Sequence, residues 1–323
     1  MVYVESRSDS PFINFALEYY LLHERPFPGE TVFLFWRTSP TVMVGRYQNT
    51  YQEVNLPYVR ERGIRVVRRL SGGGAIYTDM GSWQFSFIAP KDSSEVSLAR
   101  FAEPVAAALR GLGLDVSLSG RNDLVIDGRK FSGNAQHLTR DRVLHHGSIL
   151  FDTDIGEMVR STTPDDLKIS AKGIKSVRER VTNLAPYLNI GPEEFRDLMI
   201  SGVTGGAADL VTLTPEETER LGVIANERFD NWQAVYGDSP KGSIIRRKRF
   251  PGGGIETHLE VVNGRIAEIR LYGDFFGTAD LPALCESLRG CEFREDAVRS
   301  RLEGVPLGLR DITADDLASV ILP

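Results

Sequence analysis

Cysteine is almost absent from this chain: only Cys285 and Cys291 occur, both near the C-terminus. That argues against a disulfide framework and makes a reducing cytoplasm the expected compartment. Residues 1–284 contain no cysteine, so chemistry there can use neither a thiolate nucleophile nor a cysteine-held metal. Histidine is scarce too. His23, His137, His145, His146 and His258 show no HExxH or similar spacing, which leaves a zinc site without support. Long apolar runs are missing: stretches such as Thr31–Trp36 fall far short of the ~18 residues that span a bilayer. The opening MVYVESRSDSPF has no basic-then-apolar order, so no signal peptide is expected. Nor is there an excess of positive charge. With 38 Lys and Arg against 44 Asp and Glu, the formal charge of −6 argues against a generic nucleic-acid binder and leaves local basic patches open.

The 323 residues suit about two domains of ~150. Hydrophobic residues at 41% and charged residues at 25% are ordinary globular usage, which rules out disorder and collagen-like structure. Ser10 and Pro11 open an amphipathic stretch over 10–24 that predicts a helix. Strand-like runs follow at Thr31–Arg37, Thr41–Gly45, Ile64–Leu70, Ala75–Thr78 and Trp83–Ala89. Residues 96–110 read as helix. Leu124–Ile126 and Lys130–Leu138 flank Asp127-Gly128, a hairpin signal. Val143–Phe151 is a further strand, and helices are expected at 156–161, 191–201 and 214–230. The last opens on a capping box with proline at its first position, Thr214-Pro215-Glu216-Glu217. Gly237–Ser243 reads as a linker. Beyond it, Glu256–Val261 and Arg265–Leu271 alternate around Asn263-Gly264, and short helices are expected near 280–289 and 313–321. The pattern predicts a large mixed α/β domain over 1–240 and a small α+β domain over 246–323.

The most informative segment is Arg68–Tyr77, where two arginines precede Ser71-Gly72-Gly73-Gly74 between two strands. Consecutive glycines let the backbone approach a ligand and turn N–H groups toward an anion, and arginine adds charge-assisted bonds. A triple glycine alone is usually just a turn. Pro251-Gly252-Gly253-Gly254, which also follows basic residues, is read as such, so the argument rests on the first loop's company. Asn122 and Asp123 sit just before a strand, where amide and carboxylate can reach a ligand or a phosphate-bound metal. Lys130 begins the return strand of the Asp-Gly hairpin. A strand lysine is by default solvated, but Ser132-Gly133 interrupts this strand as if a ligand comes close. A lysine there suits the anion developing in phosphoryl or acyl transfer. His146, on an apolar strand, is by default a hydrogen-bonded core histidine. Lys168, Lys172, Lys175, Arg178 and Arg180 are opposed within their stretch only by Glu179. They read either as solvated charge or as a lid over a nucleotide or a dock for an acidic partner.

Seven ordered segments together resemble the lipoate–protein ligase family, within the biotin/lipoate ligase fold. They are Asn14–Glu18 (NFALE), Thr41–Asn49 (TVMVGRYQN), Arg68–Tyr77 (RRLSGGGAIY), Gly120–Asp123 (GRND), Lys130–Ala135 (KFSGNA), His145–Gly147 (HHG) and Lys172–Leu184 (KGIKSVRERVTNL). The C-terminal part is similar to the accessory domain of long bacterial ligases. The resemblance implies that lipoate, or octanoate, and ATP give an acyl-adenylate and pyrophosphate. The acyl group then passes to one lysine of an apo acceptor domain, such as a 2-oxoacid dehydrogenase E2 subunit or a glycine cleavage H protein. It implies ATP contacts from Arg69, Gly74, Ala75, Ile76, Tyr77, Asn122, Asp123 and Lys130, with Mg²⁺ bridging phosphates near Asp123. Lipoate contacts are implied for Glu18, Arg69, Ser71, Gly74, Lys130 and His146, and Lys130 is the implied catalytic residue. Lys172, Gly173, Lys175, Ser176, Val177 and Arg178 match an adenylate-binding loop. A monomer is the family expectation.

Four positions depart from the family pattern. Thr78 replaces a histidine, Ser82 an asparagine, Tyr19 a second acidic residue and Phe15 a leucine; all are expected at the pocket's entrance or lining. Three other readings compete. An octanoyl or lipoyl transferase on the same fold would work without ATP, typically through a cysteine, and 1–284 has none. A biotin ligase would carry a GRGRxGR-like motif, which is absent. A non-catalytic acyl-carrier binder would have no use for Lys130 and the paired arginines.

Overall fold

The computed structural model describes residues 1–91, 98–120, 123–162, 177, 179–239, 242–273, 280–303, 305–309 and 311–322. The expected sites Asn122, Lys172, Gly173, Lys175, Ser176 and Arg178 lie outside them. The fold is mixed α/β, as the sequence predicts.

Eight strands form the main sheet: β1 (Val2–Val4), β2 (Val32–Trp36), β6 (Ser82–Pro90), β7 (Val116–Ser119), β8 (Asp123–Ile126), β9 (Arg129–Leu138), β10 (Arg142–Leu150) and β11 (Asp209–Val211). Their order is β11-β1-β2-β6-β10-β9-β8-β7, parallel at the β11-β1-β2 end and antiparallel elsewhere. A second sheet holds β3 (Thr41–Val44), β4 (Arg65–Arg68) and β5 (Ile76–Thr78) in the order β4-β3-β5. The strands of both sheets are rich in β-branched and aromatic residues, which suit a half-buried pleated surface.

Three apolar layers separate these elements. One face of the main sheet packs Phe33, Phe85, Phe87 and Phe131 with α4 (Leu98–Gly111) and α6 (Pro192–Thr204). The other face packs Leu34, Trp36, Ile88 and Leu144 with α1 (Pro11–His23), α7 (Pro215–Arg228) and the inner residues Met43 and Val67 of the small sheet. The outer residues Val42, Val44 and Tyr77 join a third core. It includes α2 (Thr50–Glu53), α3 (Leu56–Glu61) and most of the apolar side chains beyond residue 243. A short helix, α5 (Ile155–Ser161), follows β10.

The C-terminal part is a three-stranded antiparallel sheet, β12 (Gly242–Phe250), β13 (Gly253–Val262) and β14 (Arg265–Gly273), backed by α8 (Leu281–Leu288), α9 (Glu295–Glu303) and α10 (Ala314–Ile321). Both predicted hairpins form. Asp127 and Gly128 have φ of 49° and 70°, and Asn263 and Gly264 have 49° and 69°, the twist that two-residue turns require. The stretch read as a linker is instead mostly fixed. Ser239 is buried and its hydroxyl accepts from Arg68 at 3.0 Å, while Gly242 already opens β12. Helix α9 has no clear signal in the sequence, because its nine residues carry five charges and only a narrow apolar stripe.

Gly147 sits where the main sheet is most crowded. A Cβ there would meet Phe85 Cζ at 2.4 Å and Asn134 Oδ1 at 2.5 Å. Gly147→Ala should therefore destabilise the protein by about 1–3 kcal/mol, read as a lowered urea midpoint with an unchanged m value.

Candidate functional site

A cavity of about 170 Å³ lies between the two sheets. Its floor is the main sheet, and the register places the floor residues. Trp36 pairs with Gln84, Gln84 with Ser148, Ser148 with Gly133, and Gly133 with Asp123, one row across five strands. His146 and Ala135 stand in the next row on the same face. The roof is Met43, Ile76 and the loop Gly73–Ala75, and Phe15 of α1 closes one side.

Lys130 reaches this floor through a β-bulge. On β9, Ser132 pairs with Leu124 and Lys130 with Val125, so Phe131 has no counterpart on β8. Strict alternation would put Lys130 and Gly133 on opposite faces. The extra residue puts them on the same face, while Phe131 is buried in the opposite core. The lysine Nζ lies 3.0 Å from where a Gly133 side chain would begin. That is the space the interrupted strand signalled. Nζ forms an ion pair with Asp123 at 2.7 Å, and both side chains are partly exposed.

Arg69 plays a different part from the one expected. Its side chain is buried and lines the cavity, but its donors go to the protein. Nη1 donates to the Met43 carbonyl at 3.0 Å, Nη2 to those of Gly72 and Gly74 at 2.8 and 2.7 Å, and Nε to Ser71 Oγ at 3.2 Å. Of five N–H donors, one remains for a ligand. Burial lowers its pKa to about 10, partly offset by Glu18. Arg69 is first the clamp that shapes the glycine loop. Gly73, with φ of 95°, and Gly45, whose side chain would strike the Gly73 carbonyl at 2.1 Å, permit the close fit. Arg68 is likewise committed, bonding the carbonyls of Gly45, Gln48, Ala234 and Val235.

Of the other expected lipoate contacts, His146 and Gly74 line the cavity; Glu18 and Ser71 do not. They form a relay behind His146. Its Nδ1 lies 3.2 Å from both Glu18 carboxylate oxygens, and Ser71 Oγ lies 2.5 Å from its Nε2. With Nδ1–H donating to the carboxylate, Nε2 accepts from the Ser71 hydroxyl. Ser86 donates to Glu18 at 2.5 Å and accepts from Trp36 Nε1 at 3.0 Å, completing the chain.

Ala75 and Ile76 line the cavity as expected, but the Tyr77 side chain is on the other face of β5 and packs in the third core. Val177 does not line it. Among the departures from the family pattern, Phe15 is in the lining and Thr78 stands behind Gln84, accepting from its Nε2 at 2.7 Å. Ser82, bonded to Asp79 and Thr153, and Tyr19, beside His23 and Arg228, are not in it. Sequence reading missed Trp36, Met43, Gln84, Asn134, Gly147 and Ser148 as lining. Only the register, which pairing partners set, reveals them. Among the described residues no group of three or more His, Cys, Asp or Glu could hold a metal.

Comparison with known proteins identifies the family of both parts of the chain. Residues 10–204 match the lipoyl protein ligase A/B catalytic domain, and residues 239–321 the bacterial lipoate protein ligase C-terminus. A lipoate-protein ligase of Bacillus subtilis is 39% identical over 99% of this chain and 100% of its own length. One from Staphylococcus aureus is 37% identical over 87% of each. Among solved structures, a bipartite lipoate protein ligase from Thermoplasma acidophilum superposes with a TM-score of 0.68 at 25% identity, covering 75% of this chain and 98% of that one. A lipoate complex of LipL1 from P. falciparum shares the fold over 99% of each chain, with a TM-score of 0.61 at 23% identity.

His145, under the floor, is buried against Phe85, Phe87 and Phe101 and held between Gln136 and Asn134. Burial and then His146 push its pKa from 6.5 down to about 3. An unfolded chain takes up this proton near its ordinary pKa, the native one only near the lowered value. Its share of stability is therefore complete above about pH 6.5 and is lost as pH falls toward about 3, by up to ~1.4 kcal/mol per pH unit. In His145→Gln the slope of unfolding free energy against pH should flatten over that window in urea titrations; an unchanged slope would contradict the assignment.

Proposed function

The chain belongs to the lipoate–protein ligase family and is an ATP-dependent ligase, and we propose that its reaction runs in the cavity between the two sheets. A lipoate carboxylate attacks the α-phosphorus of ATP, releasing pyrophosphate. The amine of an acceptor lysine then attacks the carbonyl of lipoyl-AMP, releasing AMP. Both steps concentrate negative charge beside a nucleophile that must be held in line. The observation that carries this reading is the bulge that sets Lys130 Nζ over Gly133 on the cavity floor, facing the Arg69-clamped loop across it.

Lys130 is assigned the catalytic role: it neutralises the α-phosphate in the first step and the tetrahedral oxyanion in the second. Gly74, Ala75 and Ile76 place backbone beside the nucleotide, and His146 meets the acyl group, held in orientation by Glu18 and Ser71. Asn122, Tyr77 and the stretch Lys172–Arg178, with Val177, are assigned to the nucleotide by family resemblance alone. Asp123, a partly exposed carboxylate beside Lys130, is the residue that would help hold a Mg²⁺, which would supply neutralisation of phosphate charge. Residues 1–240 are taken as the activating and transferring domain and 246–323 as its accessory. A monomer, in the cytoplasm, with octanoate as an alternative substrate completes the proposal.

Lys130→Ala should abolish lipoate-dependent pyrophosphate release, a loss of at least ~10³-fold, while the far-UV spectrum and melting temperature stay close to wild type. Release near the wild-type rate would remove Lys130 from the mechanism. Intact mass of a panel of apo acceptor domains, incubated with ATP, Mg²⁺ and either lipoate or octanoate, reports acyl choice and acceptor choice together.

A further inference from the structure

Two exposed side chains at the opening of the cavity have no part in the chemistry assigned above. The opening is marked by the lining groups that solvent reaches: Gly73 and Gly74 on the roof and Lys130 on the floor. Beside it, the turn that follows β3 carries Arg46 and Tyr47. Two carbons of the Tyr47 ring lie 3.5 and 3.6 Å from where a Gly72 side chain would begin, so the ring rests against the glycine loop. The residue is nevertheless 73% exposed. Arg46 Cζ stands 5.7 Å from the ring centroid. Arg46 is also felt on β9. After burial, its charge is the next cause that holds the pKa of His137 below 6.5, and His137 is two residues beyond the lining residue Ala135 on the same face. The turn itself is fixed. Arg68 Nη1 donates to the carbonyls of Gly45, Arg46 and Gln48, the Arg46 N–H donates to the Ser71 carbonyl at 2.8 Å, and Gln48 Oε1 accepts from the Gly45 N–H at 2.8 Å.

A lone exposed tyrosine is ordinary. A tyrosine and an arginine side by side on a backbone with little freedom to lose have the composition of a binding hot spot, because association there costs little ordering. Position says what binds. A lysine side chain is a short tether, so an acceptor amine reaches an acyl carbonyl held beside Lys130 only if the backbone that carries it comes down on this rim. Charge says which kind of surface is received. Lys130 is paired with Asp123, whereas among the described residues no carboxylate pairs with Arg46. We propose that Arg46 and Tyr47 form a docking ledge for the acceptor protein, which lays an acidic surface next to its target lysine against them. Carboxylates of that surface pair with the Arg46 guanidinium, and the Tyr47 ring packs under the acceptor backbone. This deepens the ligase reading and rests on it for the place where transfer occurs. Neither side chain lines the cavity, so the ledge serves the second step of the reaction and not the first.

The two steps can be read separately. Hydroxylamine is a small nucleophile that takes the acyl group from the adenylate, giving the hydroxamate and AMP, and it has no surface to dock. With lipoate, ATP and Mg²⁺, hydroxamate formation and the KM for ATP should be unchanged in Arg46→Glu and Tyr47→Ser. Both side chains are exposed, and the main-chain bonds that fix the turn remain in either variant. The protein acceptor is the apo lipoyl domain of a 2-oxoacid dehydrogenase E2 subunit or an apo glycine cleavage H protein, whichever the wild type binds more tightly. For it, kcat/KM should fall by roughly tenfold or more in each variant, chiefly through KM. The wild-type KM for that acceptor should rise with ionic strength, and the rise should flatten in Arg46→Glu. Unchanged acceptor kinetics in the folded variants overturns the ledge. So does a raised KM for ATP or a loss of hydroxamate, which would place these side chains on the nucleotide. Calorimetric titration with the same acceptor, without ATP, separates this from the ligase reading. Weaker binding by both variants, together with no pyrophosphate release by the wild type, would overturn that reading and leave the ledge standing.

Discussion

One surplus residue governs the chemistry of this molecule. Phe131 interrupts the pairing of β9 with β8, and the interruption turns Lys130 onto the face it needs. Pairing alternation is strict enough that a slip of one residue exchanges the two sides of a strand. Without the bulge the ammonium group would point into a core of phenylalanines, where burying it is prohibitively costly. The bulge is itself secured from both directions. Phe131 fills the opposite core, and the Lys130 carbonyl accepts from Thr182 N at 2.9 Å, an extra strand-like contact outside the sheet. The position of a single positive charge is thus set by an apolar anchor and a backbone bond, neither of which touches a ligand.

The opposite wall follows another logic. A loop with three consecutive glycines has little conformation of its own. Here its shape is imposed by one guanidinium that gathers three carbonyl groups and a hydroxyl. The strain of burying that cation is visible in its lowered pKa. Lysine could not substitute, since a point charge lacks the forked donors that reach four acceptors at once. Rigid floor and clamped roof leave little to reorganise when charge builds up between them.

Much of this could be read from residues in order. The hairpin at Asp127-Gly128, the capped helix at Thr214 and the strand runs are local signals, and local signals survive into the fold. The glycine loop and Lys130 stand out because their residue types are unusual for where they stand, whereas His146 reads as an ordinary core histidine and enters only through the family resemblance. What stayed hidden depends on partners far apart in the chain. Gln84 and Trp36 read as ordinary strand residues until pairing sets them side by side. Arg69 looked like a free cation because nothing local says that Met43 offers it a carbonyl. Glu18 and Ser71 belong to the site only through His146, a connection across 128 and 75 residues of sequence. The Tyr77 side chain stands one step of alternation beyond Ile76 and so turns to the third core and away from the cavity.

The third core has a bearing on how such a chain can be divided. Val42, Val44 and Tyr77, directly behind the roof of the cavity, are covered by the same apolar cluster that fills the C-terminal part, and Tyr51 donates to the Phe293 carbonyl across the join. Severing the polypeptide near residue 240 would not liberate an independent module and a dispensable appendage. Each fragment would bare the apolar surface that the other now covers.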